Sequence, residues 1–359
     1  MRVLQLAPLR EPVPPPSYGG TEAVVAVLCE ELARRGVDVA LCASGDSRTS
    51  AQLHAVSGQS LRTASDIVDA SPYEWIHVAL SLNRADDYDL IHNHAGELAM
   101  AMSHLTDVPM LTTVHNPITR DARFVWDRYE GWYNTISHAQ RATLPEIPGG
   151  RFAGVVHNAI DVEDFPFSSQ KDDYLLFLSR ICWDKGVHLA IEAAKRLAMP
   201  LVIAGKLAED DRNYFRKQVE PFLDGRDIVF VGEADAGQKR ELLVRAKCLL
   251  LPLCWEEPFG LVMTEAMACG TPVVAFARGA APEIVRHGET GFLVDEWDGV
   301  DGLVAAVLRV SAIDPACCRR HVEENFSPGR MIDRYLGVYE KVLAKATPER
   351  GMVPTTAVG

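Results

Sequence analysis

Short apolar runs alternate with longer amphipathic ones along this chain, and the alternation starts afresh half-way, which restricts the fold more than any single motif does. In the first half, residues 3–7 read as a strand, 20–35 as a helix and 37–42 as a second strand. Further strands are expected at 90–92, 110–114, 134–136 and 153–156, with helical stretches between several of them. The second half repeats the pattern: strand 174–178, helix 186–197, strand 201–204, helix 211–222, strand 228–231, helix 237–246. Strands joined through helices lie parallel, because the crossover returns the chain to the same end of the sheet. The expectation is an α/β protein of two doubly wound halves with a cleft between them. The segment 158–171, with Pro166, two serines and several charges, is the expected boundary.

At 359 residues the chain suits two domains of about 150 to 180 residues. With 48% hydrophobic and 24% charged residues it can bury two ordinary cores in water. No apolar run approaches the ~20 residues of a membrane span, and the apolar stretch in MRVLQLAPLREP is too short for a signal peptide, so a cytoplasmic protein is expected. The net charge of −13 argues against general nucleic-acid binding, which relies on Lys and Arg, but leaves a local phosphate site open. The eight cysteines contain no C-x-x-C pair and mostly sit in apolar runs, so neither a disulfide frame nor a zinc site is indicated.

The stretch 257–270, EPFGLVMTEAMACG, carries the most chemistry. Leu249 to Pro252 read as the end of a buried strand and 260–268 as a helix that stops before Gly270 and Pro272. Pro258 pre-sets the backbone, and Gly260 has no Cβ, so foreign oxygen atoms can approach the free N–H groups of Gly260, Leu261 and Val262. Such a helix start favours an anion, above all a phosphate. Glu257 and Glu265 are eight residues apart, which on continuous helix is roughly 12 Å of rise. Glycosidase carboxylate pairs stand about 5 to 9.5 Å apart, so the two glutamates suit separate grips on a long ligand better than joint work on one bond.

Other candidates have two readings each. Gly19 and Gly20 are either a tight turn before a capped helix or backbone N–H groups facing a ligand at the carboxyl ends of the strands. The loop is not G-x-G-x-x-G, which counts against a dinucleotide dehydrogenase. His92 and His94 alternate along a strand and face the same way, but no third metal ligand follows at a recognisable spacing. His115 and Asn116 stand where the apolar strand MLTTV ends. Arg180 and Lys185 are either solvated loop cations or, at the carboxyl end of a strand, a planar fork and a point charge for phosphate oxygens. The helical stretch expected at 64–81 has an acidic neighbourhood, poorly suited to anionic lipid.

Glu257 and Glu265 with EPFG between them resemble the E-x7-E element of retaining glycosyltransferases of family 4, which have the two-domain GT-B fold. Five more pieces agree in order: YGGTE at 18–22, LTTVHN at 111–116, HNAID at 157–161, SRICWDKG at 179–186 and PEIVRHGETGFLV at 282–294. The resemblance spans about residues 1–345 and implies Rossmann-like domains at 1–165 for the acceptor and 166–328 for a nucleoside diphosphate sugar. It further implies a helix at 329–345 crossing back to the first domain, with a flexible tail at 346–359. It gives His115, Glu257, Arg180 and Lys185 catalytic roles. Gly19, Gly20, Phe259, Gly260, Leu261, Val262 and Glu265 complete the donor site, with Glu265 on the ribose, and His94, His115 and Asn116 face the acceptor. No cofactor or metal is implied beyond the donor itself. Glu283 and Gly279 belong to a loop expected near the cleft. Where the family has N-G-I-D this chain has Ala159, which puts in doubt a positive backbone angle there. The implied activity is metal-independent transfer of a hexose to a hydroxyl acceptor. A nucleotide-sugar epimerase or hydrolase on the same fold, and a non-catalytic sugar-nucleotide binder, are the alternatives.

Overall fold

The computed structural model describes residues 1–346. It contains two separate parallel sheets. The first has seven strands: β1 (Arg2–Leu6), β2 (Asp38–Ala43), β3 (Gln52–Ala55), β4 (Leu90–Asn93), β5 (Met110–Val114), β6 (Trp132–Thr135) and β7 (Arg151–Val155), in the order β3-β2-β1-β4-β5-β6-β7. The second has six: β8 (Leu175–Leu178), β9 (Leu201–Ala204), β10 (Ile228–Phe230), β11 (Cys248–Leu251), β12 (Val273–Phe276) and β13 (Gly291–Val294), in the order β10-β9-β8-β11-β12-β13. Central strands such as LLFL of β8 and CLLL of β11 are buried on both faces, which is why they read as unbroken apolar runs.

In each sheet the strand order reverses beside the first strand, between β1 and β4 and between β8 and β11. At such a switch the loops leaving adjacent strands diverge to opposite faces and leave a crevice at their carboxyl ends. The loop after β1 holds Gly19, that after β4 holds His94, that after β8 holds Arg180 and Lys185, and that after β11 holds Glu257 to Gly260. The loops that carry these residues therefore meet at one cleft for a topological reason.

The last helix, Pro328–Ala346, packs on the first sheet's side of the molecule. Its Met331, Ile332, Tyr335, Val338, Tyr339 and Val342 recur at helical spacing and share a core with Val24, Val25 and Leu28 of the helix Gly20–Arg34. Burying each such side chain contributes about 1.5–3 kcal/mol, so this seam ties the end of the chain firmly to its beginning. Ala346 ends this helix, and the rest of the expected tail lies outside the described residues.

Three of the differences from the sequence expectation have a local physical cause. The edge strand β3 is exposed or half-exposed throughout and so lacks an apolar run to announce it. The helix expected at 64–81 begins only at Ser71, because Pro72 fits the first turn while Asp69 Oδ1 takes the Ser71 N–H at 2.9 Å in a preceding turn. The stretch 211–222 breaks into a helix, Arg212–Gln218, and a 3-10 turn holding Pro221, which has no N–H to continue the ladder. Among the described residues no helix is long and apolar enough to cross a membrane.

Candidate functional site

The cleft between the domains encloses 1870 Å³ and is lined from both sides. Its floor on the second domain is the start of the helix Leu261–Ala268. Gly260 precedes it at φ +87° and ψ 66°, a left-handed conformation, and a Cβ there would come within 2.6 Å of Met263 Cε and 3.3 Å of Glu257 Cγ. Opposite stands the start of the helix Gly20–Arg34, and a Cβ on Gly20 would touch Leu261 Cδ1 at 3.6 Å. Two helix N-termini thus open onto one space, each with N–H groups that no helical carbonyl reaches.

Four charged side chains flank the second-domain helix start. Glu257 Oε2 accepts from Lys185 Nζ and, at 2.8 Å, from Trp255 Nε1, while Lys185 Nζ also lies 4.6 Å from the Trp255 ring centre. Glu265 Oε1 accepts from Lys239 Nζ at 2.5 Å. Both carboxylates are only 8% exposed, so their ammonium partners offset the cost of burying charge. Arg180 is held more loosely: its Nε lies 3.4 Å from Cys182 Sγ and 3.8 Å from Asp211 Oδ2, and it keeps the freedom to turn toward an anion. The Phe259 ring, 2% exposed, packs on His157 and Phe326 rather than projecting into open space.

On the first domain His115 and Asn116 line the cleft. His115 Nε2 lies 2.8 Å from Nδ1 of His94, and burial lowers the His115 imidazole to about 4, so the ring is neutral at physiological pH. His94, expected to face the acceptor, is instead buried behind His115 and supports it. It follows β4 and points inward at Gln5 of β1, a side-chain direction that the spacing His92-x-His94 leaves open. The other expected site residues, Gly19 and Gly20, Arg180 and Lys185, and those from Glu257 to Glu265, all border the cleft.

Glu22, in the first turn of the Gly20–Arg34 helix, was not singled out by its residue type. It lines the cleft at 6% exposure, and burial, with Glu11 nearby adding negative charge, raises its carboxyl to about 7. Its place in YGGTE was the only signal. Lys239 and Trp255, the partners of the two cleft glutamates, carried no spacing that pointed to them.

Glu283 and Gly279 are not among the residues lining the cleft. Glu283 instead clasps the domains together: its carboxylate accepts the N–H of His138 at 2.9 Å, that of Ala139 at 2.6 Å, and His157 Nε2 at 2.8 Å. His138, His157 and Glu283 bring ligand-type atoms within 4.8 Å of one another, the one such trio among the described residues. Arg334, which can only donate, lies 2.9 Å from His157 Nδ1, so the ring hydrogen sits on Nε2 and is given to Glu283. That tautomer has no lone pair at Nε2 for a metal. A second bridge joins the domains where Ser17 Oγ donates to Glu233 at 2.7 Å and Arg62 donates to the same carboxylate at 2.5 Å.

Residues 18–164 match the family model described as Glycosyltransferase Family 4, and residues 161–321 that described as Glycosyl transferases group 1. A glycogen synthase of Mycobacterium tuberculosis is 32% identical over 277 residues, covering 67% of this chain; the chain spans 64% of that relative's length. A solved sucrose-phosphate synthase from Thermosynechococcus elongatus superposes with a TM-score of 0.76 at 20% identity, covering 96% of this chain and 100% of its own. The Anabaena protein HepE, solved in complex with UDP and glucose, does so with a TM-score of 0.71 at 17% identity, covering 95% of this chain and 100% of its own. These two likenesses establish the two-domain GT-B fold.

Proposed function

Because the chain belongs to the glycosyltransferases of group 1, family 4, we propose that it is a retaining transferase moving a hexose from a nucleoside diphosphate sugar to a hydroxyl acceptor without a metal ion. The observation that carries this reading is the helix start at Gly260, its N–H groups open to the cleft, with Arg180 and Lys185 beside it and the Gly20 helix start opposite. The second domain, 166–328, would hold the nucleotide and the first, 1–165, the acceptor, with the helix at 329–345 bracing the first. His115 of the first domain and the second-domain cations bring different chemistry to one cavity, as transfer between two substrates requires.

In the reaction the bond from the sugar's C1 to the diphosphate oxygen breaks and a bond from C1 to the acceptor oxygen forms on the same face. The acceptor's proton passes to the leaving phosphate oxygen, giving glycoside and nucleoside diphosphate. Negative charge grows on the leaving group, where the helix N-terminus, Arg180 and Lys185 stabilise it. A helix end contributes up to ~2 kcal/mol, about thirtyfold in rate, so the two cations must supply much of the rest. Lys185, held by Glu257, would share its remaining donors with the diphosphate, and Glu257 would then orient hexose hydroxyls. Glu265 suits the paired hydroxyls of a ribose.

The test is release of nucleoside diphosphate from UDP-, GDP- and ADP-sugars in EDTA, with and without a panel of hydroxyl-bearing sugars. A transferase releases it in step with a glycoside whose anomeric configuration, read by proton NMR, matches the donor's. Arg180→Ala and Lys185→Ala should each slow transfer by about 10²-fold. Release at the same rate without acceptor marks a hydrolase, sugar interconversion without release marks an epimerase, and either overturns the reading.

A further inference from the structure

A single hydrogen-bonded chain runs from His115 in the cleft, through the first sheet, to the last helix, and its direction can be worked out from one end. The backbone carbonyl of Thr135 can only accept, and Asn134 Nδ2 lies 3.4 Å from it. Asn134 therefore turns Oδ1 to Thr113 Oγ1, which donates at 2.8 Å. With its one hydrogen committed, the Thr113 hydroxyl accepts from His92 Nε2 at 2.7 Å. A neutral imidazole with hydrogen on Nε2 presents a lone pair at Nδ1, and Tyr339 donates to it at 2.7 Å. Tyr339 then accepts from Gln5 Nε2 at 3.1 Å, which sets Gln5 Oε1 against His94 Nε2 at 3.0 Å. His94 donates there, so its Nδ1 accepts from His115 Nε2 at 2.8 Å. Along this path each donor meets an acceptor in one consistent sense. The reverse sense would turn Asn134 over and set two acceptor oxygens, its own and that of Thr135, against each other.

The end of the chain that matters is His115. With its hydrogen on Nε2, Nδ1 keeps a lone pair, takes no protein partner among the described residues and is not an enclosed orphan. The residue lines the cleft. We propose that Gln5, His92, His94 and Tyr339 are positioning residues that hold His115 as its Nε2–H tautomer, so that Nδ1 accepts a hydrogen bond from a hydroxyl of the bound sugar. This rests on the transferase reading of the cleft. Burial keeps all three histidines well below their ordinary range, so the chain is neutral, and His115 orients a hydroxyl rather than removing its proton. The helix that crosses back to the first domain thereby acts on the site through one phenol oxygen.

Tyr335 supplies an internal control. It lies one turn before Tyr339 and is equally buried, but its hydroxyl, 3.2 Å from Thr113 Oγ1 and also bonded to the Asn134 side chain, stands beside the path and adds a second donor to an oxygen whose hydrogen already points to Asn134. The test is a long-range proton–nitrogen NMR correlation on the full chain labelled with 15N-histidine, without substrate, with His115 assigned from His115→Gln. His115 should show the neutral Nε2–H pattern in the wild type and in Tyr335→Phe, and lose that single tautomer in Tyr339→Phe. An Nδ1–H pattern in the wild type overturns the proposal, as does an unchanged tautomer in Tyr339→Phe. Because no substrate is present, the outcome is separable from the transferase reading: a correct tautomer in a protein that transfers no sugar sinks only the latter.

Discussion

Glu257 and Glu265 each face an ammonium in the cleft, whereas Glu22 faces none, and burial raises the Glu22 carboxyl to about 7. For Glu22 the ordinary carboxyl value near 4.5 applies in the unfolded chain and about 7 in the folded one, so the native state binds the proton more tightly. Its contribution is fully present below pH 4.5 and lost as pH rises through 7. Glu22→Gln should therefore leave stability nearly unchanged at pH 4 and raise it at pH 8, by on the order of 3 kcal/mol, read from urea unfolding at the two values. A variant that gains nothing at pH 8 contradicts the burial argument. The same residues show what was legible at this scale. Glu257 and Glu265 stood out because they bracket a helix start within one stretch of chain. Their partners Lys185 and Lys239 lie 72 and 26 residues away, and only the packed strands bring them together.

Strands buried on both faces, such as β5 and β8, were legible because an apolar run of that length has nowhere to go but a sheet interior. The edge strand β3 was not, since half of it faces water and pairing alone holds it. Helix starts were legible where proline or glycine marks them, and Gly260 is the case with functional weight. Gly260→Ala forces a side chain into a left-handed backbone, at a cost of about 1–2 kcal/mol, while the Met263 methyl it meets is the end of a flexible chain and can move. The expected outcome is that loss of stability in urea together with weaker nucleoside diphosphate binding. Unchanged stability would mean that the helix start does not need this conformation.

At the scale of the whole molecule, two sheets with their switch points facing each other make the cleft, and the last helix, the Glu283 clasp and the Glu233 bridge hold the halves in register. The order of the motifs made two domains legible, but not which contacts would join them, because those pair residues more than a hundred positions apart. Glu283→Ala removes an acceptor from two backbone N–H groups of the other domain, so hydrogen exchange at His138 and Ala139 should quicken while the strands of both sheets stay protected. Unchanged exchange there would mean that the clasp does not hold the domains. The account as a whole stands on the diphosphate site. Its most direct test is calorimetric titration of UDP, GDP and ADP, all in EDTA, into the wild type, Arg180→Ala and Lys185→Met. One nucleoside diphosphate should bind the wild type, and each variant should bind it at least about tenfold more weakly, a loss of about 1.4 kcal/mol or more. Binding of none, binding that EDTA abolishes, or equal binding by the variants would contradict it.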